Sequence, residues 1–161
     1  MLIATQQELP TPSPWPAAHE TIETLLWTEE HDWLYTLLKS ESNVSPRFRV
    51  PDLISACVAQ LFAKDAAADR LFHYLGAELI LRAPGTARRR ESMWRPQYQL
   101  LHALQISAAN RYPNPQFQLD QLTTACVALA RIEDASGACT LRHARINIAR
   151  RSAIAKVIIS G

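Results

Sequence analysis

Only four of the 161 residues are glycine, and none falls in a phosphate-cradling or nucleophile-elbow pattern. No P-loop, HExxH or GxSxG occurs, so the nucleotide-hydrolysing, zinc-protease and hydrolase chemistries carried by those spacings are not expected. Five histidines (His19, His31, His73, His102 and His143) are scattered along the chain. The densest polar cluster, His31 with Asp32, Glu29 and Glu30, reads most simply as the solvated face of an amphipathic helix. Three cysteines form neither a CxxC nor a Cys/His ligand spacing, which agrees with a reducing compartment and argues against a disulfide framework. Cys57 and Cys126 read as small core residues, and Cys139 near a turn is the one to test for reactivity. No apolar run approaches the length of a membrane span, and Met1–Thr5 lacks the basic start of a targeting signal. A cytoplasmic, non-enzymatic protein without cofactor, metal or membrane partner is expected.

What is present is 48% apolar and 20% charged, enough for one ordinary domain. The net charge of +2 hides an asymmetry. Residues 1–45 hold Glu8, Glu20, Glu23, Glu29, Glu30, Asp32 and Glu41 against Lys39 alone, and the rest of the chain is basic. An acidic leader before a basic body is the balance expected of a nucleic-acid binder with an accessory segment.

Within that body one stretch recurs. Pro46-Arg47-Phe48-Arg49-Val50 returns as Pro115-Gln116-Phe117-Gln118-Leu119, and Leu53, Ala56, Cys57, Val58 and Ala59 return as Leu122, Ala125, Cys126, Val127 and Ala128. The identities are too many for chance and predict an internal duplication. Strict alternation over 47–50 and 116–119 predicts a short strand with one apolar and one polar face, and the acidic starts at Asp52 and Asp120 predict a helix after each. Such strands cannot stand alone. Antiparallel pairing of the two copies would turn both phenylalanines inward and expose Arg47, Arg49, Gln116 and Gln118.

The unit Pro-Gln-Phe-Gln-Leu followed by a helix resembles the N-terminal strand of the ribbon-helix-helix superfamily of Arc- and MetJ-like repressors. Gly137 fits the glycine that family places between its helices, whereas the first copy has Ala66-Ala67-Ala68 in that region. Some conjugation and DNA-transfer accessory proteins carry both copies in one chain, and this sequence is similar to that arrangement. The resemblance implies a mainly α fold with a short two-stranded antiparallel ribbon, organised as an internally duplicated pseudo-dimer able to associate further on DNA. It also implies sequence-specific binding of double-stranded DNA, as a transcriptional regulator or a plasmid or mobile-element transfer factor. Arg47, Arg49, Gln116 and Gln118 would then contact bases. Arg88, Arg89, Arg90, Thr140, Arg142 and Arg145 would contact phosphates, Thr140 with Ser136 as a cap of a helix whose start holds a phosphate.

In chain order, the expected organisation is a Pro-rich leader (1–17), an acidic helical segment (18–45) running as one helix or a pair from Ala17 to Lys39, and a first ribbon-helix-helix unit (46–87). A flexible basic linker with a connecting helix (88–114) and a second unit (115–161) complete it; the repeat favours a helix from Leu141 to at least about Ala155, although Ala144-Arg145-Ile146-Asn147-Ile148 also alternates like a strand. Trp27 and Trp33 either pack on the core or contact a partner protein through residues 17–45. The second alternative belongs to a different function, a helical protein–protein adaptor in which the repeated strands merely close the core and Arg47 and Arg49 are salt-bridged or buried.

Overall fold

Thr21, Ile22 and Thr24 are β-branched, and Thr21–Trp27 is a strand, β1. The computed structural model describes residues 20–83, 85–111 and 117–160, except for the side chains of 111 and 151–160. The expected leader at 1–17 lies outside them. A helix, α1 (Thr28–Leu38), follows directly, so only half of the helix expected from Ala17 to Lys39 forms. The spacing of Ile22, Leu25 and Leu26 suits a helix, but β-branching and a strand partner decide otherwise.

That partner is β2 (Arg88–Trp94), in the stretch expected to be a flexible linker. The two strands are antiparallel, from Thr21 opposite Trp94 to Trp27 opposite Arg88, with Thr24 and Glu91 as the central pair. Between and after them lie α2 (Val50–Phe62), α3 (Ala67–Ala77), α4 (Arg95–Gln105), α5 (Leu119–Glu133) and α6 (Ala138–Ser160). Two short 3-10 turns (Leu79–Leu81 and Ala108–Arg111) complete the described elements. The protein is mainly helical with one two-stranded sheet, but the ribbon is not where the repeat predicted it.

Residues 47–49 and 117–118 form no strand, Arg49 and Gln118 being extended, and 112–116 lie outside the described residues. A four-residue alternation also describes a chain approaching a helix. Phe48 and Leu53 occupy the two positions of a hydrophobic staple around α2, as do Phe117 and Leu122 around α5, and all four are buried. The Asp52 carboxylate accepts the Arg49 N–H at 2.9 Å, and Gln121 Oε1 accepts the Gln118 N–H at 2.8 Å. Each returns half of a capping box.

An asparagine holds each approach. Asn43 Oδ1 accepts the Phe48 N–H at 2.6 Å while its amide donates to the Leu38 carbonyl at 2.9 Å. Asn110 Oδ1 accepts the Phe117 N–H at 3.0 Å, and its amide donates to the Phe117 and Gln105 carbonyls at 2.9 and 2.8 Å. Contacts then cross between the halves of the chain. The Trp27 N–H donates to Thr124 Oγ1 at 3.2 Å and the Trp94 N–H to Ser55 Oγ at 3.1 Å. In the same way β1 packs on α5, β2 on α2, α3 on α5 and α6 on α2.

At the centre, α2 and α5 bring Cys57 and Cys126 into the core, both fully buried. Burial pushes the Cys57 thiol up to about 12, and burial with the neighbouring Cys57 pushes Cys126 up as well. Neither is an available nucleophile at neutral pH.

Two tight turns join the paired helices. Gly137 has φ +81°, and a Cβ there would collide with the Leu37 side chain. Ala66, before α3, is left-handed at φ 59° and carries the Cβ penalty that glycine avoids. Ala66→Gly is therefore expected to raise stability by about 0.5–1 kcal/mol, seen as a higher urea midpoint at unchanged slope.

Candidate nucleic-acid interface

Directly opposed residues of an antiparallel pair point to one face. Thr21, Glu23 and Leu25 therefore share a face with Arg90 and Ser92. On it Thr21, Glu23, Leu25 and Arg90 are exposed, and the Arg90 guanidinium meets the Glu23 carboxylate at 2.8 Å. The side chains of that pair are 78% and 63% exposed, so it is a weak tie. The opposite face turns inward. There Thr24 is buried against Thr123 and Leu26 is fully buried. Glu91 accepts bonds from His31 Nε2 at 2.7 Å and the Tyr35 hydroxyl at 3.1 Å. His31 is thus not on a solvated face, as its neighbours in sequence had suggested, and burial with the Glu91 charge pushes the Tyr35 phenol up.

Tryptophans close both ends of the ribbon against helix starts. Trp94 Nε1 donates to Asp52 Oδ1 at 2.8 Å in the first turn of α2, and Trp27 Nε1 to Asp120 Oδ2 at 3.4 Å in the first turn of α5. The capping residues just before those helices, Arg49 and Gln118, are both exposed. Arg49 lies over the Trp94 ring at 5.2 Å, with its Nε 4.0 Å from Asp52. Gln118 lines a hollow of about 340 Å³ together with Glu23, Leu25 and Gln105. Two of the four expected base contacts thus flank the ribbon rather than form it. Arg47 is exposed on the unpaired approach to α2, and Gln116 lies outside the described residues.

The expected phosphate contacts divide sharply. Arg90 is exposed on the outward face of β2, whereas Arg89, although exposed, stands opposite Leu26 and so on the other side of the ribbon from the outward face, which corrects its expected place beside Arg90. Arg88 is not a free clamp, because its Nε meets Asp120 at 3.0 Å and its guanidinium covers the Trp27 ring at 4.2 Å. Arg145 is likewise structural, donating to the Pro46 and Val44 carbonyls at 2.7 and 3.3 Å while lying over Phe48 at 4.3 Å. Thr140 is buried inside α6 and donates to Gln60 Oε1 at 3.1 Å, which corrects its assignment to phosphate. The start of α6 is also occupied. The Ala138 N–H goes to Ser136 Oγ and the Cys139 N–H to Asp134 Oδ2. Bonds from Ser136 and the Cys139 amide hold the Asp134 carboxyl below the usual range, and its negative charge would oppose a phosphate there. Arg142 is exposed, with a 3.4 Å contact to Cys139 Sγ.

The acidic segment is not a detached leader. Glu20 pairs with Arg95 at 2.5 Å and Glu29 with Arg131 at 3.5 Å. Glu30, fully buried, takes both arms of Arg82 at 2.7 and 2.6 Å. Trp27 and Trp33 are buried in the core, the second donating to the Ala135 carbonyl at 3.0 Å, so neither is presented to a partner. Much of the charge asymmetry in the sequence is thus satisfied inside the molecule. The outward ribbon residues Thr21, Glu23 and Leu25 escape sequence reasoning, although the β-branched Thr21, Ile22 and Thr24 were the available signal.

Among the described residues no cluster of His, Cys, Asp and Glu could hold a metal ion, and no helix is long and apolar enough to cross a membrane. No family model, curated protein or solved structure matches the chain.

Proposed function

We propose that this is a non-enzymatic, sequence-specific double-stranded DNA-binding protein that lays the β1–β2 ribbon in the major groove, built as an internally duplicated pseudo-dimer of ribbon-helix-helix type. The observation that carries the reading is the ribbon itself, formed from one strand of each half and flanked by the starts of α2 and α5. Support for the duplication extends beyond the repeated phenylalanines. The strand ends Trp27 and Trp94, the loop clamps Asn43 and Asn110, and the hydroxyls of Ser55 and Thr124 make matching bonds in the two halves. Thr24 opposite Glu91 would mark the pseudo-two-fold axis.

A two-stranded ribbon fits the width of the major groove, and its outward side chains meet base edges. In this reading Arg90, Glu23, Thr21 and Ser92 form the reading face, Arg49 and Gln118 reach the duplex from either flank, and Arg47 and Arg142 supply phosphate contacts. The role as transcriptional regulator or transfer accessory factor follows from the same resemblance.

Fluorescence anisotropy against a randomised duplex pool, with enrichment of bound sequences at two salt concentrations, tests it. Wild type is expected to enrich a motif. Arg90→Ala should cost about 1–3 kcal/mol and relax specificity at one position, whereas Arg142→Ala should weaken all sequences alike. Weak binding that salt abolishes equally in wild type and Arg90→Ala would make the ribbon structural. A protein-adaptor role would then take precedence. Its best-placed surface is the open hollow of about 650 Å³ rimmed by exposed Leu81 and Ile132.

A further inference from the structure

The outward ribbon residues are not equivalent about the central pair, Thr24 and Glu91. Glu23 stands one residue before Thr24 and Arg90 one before Glu91, so a two-fold axis through that pair exchanges them. A symmetric ribbon would present the same side chain at both places. Here the two carry opposite charge and bridge each other at 2.8 Å across the face. Leu25 and Ser92 differ in the same way, one apolar and one a hydroxyl, each one residue beyond the centre.

We infer that the ribbon reads its two half-sites with opposite chemistry and so binds DNA in a single direction; this rests on the DNA-binding reading above. An arginine donates to guanine O6 and N7, and a carboxylate accepts from the cytosine N4 amino group. Arg90 therefore selects guanine in its half-site, and Glu23 selects cytosine at the symmetry-related base of the other. That pair of positions breaks any palindrome. At the position that the two-fold axis relates to Ser92, Leu25 offers only apolar contact, which suits a thymine methyl group.

Glu23 has a second consequence in the free protein. Beside DNA phosphates a carboxylate is repelled unless it finds a donor, so sequences without the cytosine amino group are penalised, not merely unrewarded. While unbound, the carboxylate neutralises Arg90 and lowers non-specific attraction to any duplex. Both side chains are well exposed, and exchanging them leaves the packed face untouched.

Enrichment from a randomised duplex pool tests the inference with wild type, Glu23→Arg, and the exchange variant Glu23→Arg/Arg90→Glu. The wild-type motif should be non-palindromic at one symmetry-related pair of positions. Glu23→Arg should make that pair palindromic, with guanine in both half-sites, and should bind unselected duplex on the order of tenfold more tightly at low salt. The exchange variant keeps the ion pair and the net charge, and should select the same motif with that pair reversed. A palindromic wild-type motif, or a motif unchanged in both variants, would overturn directional reading while leaving DNA binding standing. Failure of wild type to enrich any sequence would overturn both.

Discussion

Glu30→Ala is expected to cost about 3–5 kcal/mol of stability, the effect of removing one partner from a buried ion pair. Glu30 is wholly enclosed, and both its oxygens receive Arg82 nitrogens at 2.7 and 2.6 Å. Arg82 in turn donates to the Tyr74 hydroxyl at 3.0 Å and lies over the Trp27 ring at 5.6 Å. The hydrogen bonds that Arg82 donates to Glu30 outweigh desolvation and hold the guanidinium more firmly protonated than usual. Without that carboxylate Arg82 cannot neutralise, and must either rely on the exposed Glu29 carboxylate, 3.6 Å away, or swing out and leave a void above Trp27. Urea denaturation should show a large fall in midpoint. Glu30→Leu with Arg82→Leu should recover most of the loss, because no charge is left behind. A Glu30→Ala protein with the wild-type midpoint would mean that the pair is not enclosed as described.

Asn110→Ala is expected to destabilise by about 3 kcal/mol, and Asn43→Ala by about half as much. Asn110 is 1% exposed and satisfies the N–H and carbonyl of Phe117 and the carbonyl of Gln105. Truncation leaves those groups without their partner in a place water does not reach. Asn43 makes the matching bonds around Phe48 but is half-exposed, so water can replace part of what is lost. Denaturation midpoints of the two variants give the comparison, and equal losses would show that exposure does not govern the clamp.

Sequence reading placed Glu30 on a solvated helix face and did not single out Asn110 or Asn43, and the reason is physical. Phe48 and Phe117 were legible as a repeat because packing preserves their shape. Their element was misread because an alternation of four residues fits a strand as well as a stapled helix start. Helices α2 and α5 were legible from long apolar stripes, and the last helix, expected from Leu141, runs Ala138–Ser160. Strand β2 was hidden because Arg88-Arg89-Arg90-Glu91 has no apolar alternation. It forms because β1 pairs with it and because Met93 and Trp94 anchor its end in the core. Arg88 and Arg145 looked like exposed cations, but sequence does not reveal that Trp27, Asp120 and Phe48 wait beneath them. Of the candidate interface, Arg49, Gln118 and Arg88–Arg90 were named in the sequence, the last three as a flexible linker rather than a strand, whereas Thr21, Glu23 and Leu25 were assigned to the wrong element.

The contacts that cross between the halves also bear on how the chain reaches its folded state. Trp27 bonds to Thr124, Trp94 to Ser55 and Lys64 to Glu133, so each half supplies what the other lacks. Neither half then has a finished core before the other arrives, and native structure depends on partners far apart in sequence, a topology that folds slowly for its size. Joining them through residues 82–87 makes their meeting intramolecular, at an effective concentration on the order of millimolar. A pair of separate subunits would come apart on dilution. The single chain keeps its ribbon assembled however scarce the protein becomes.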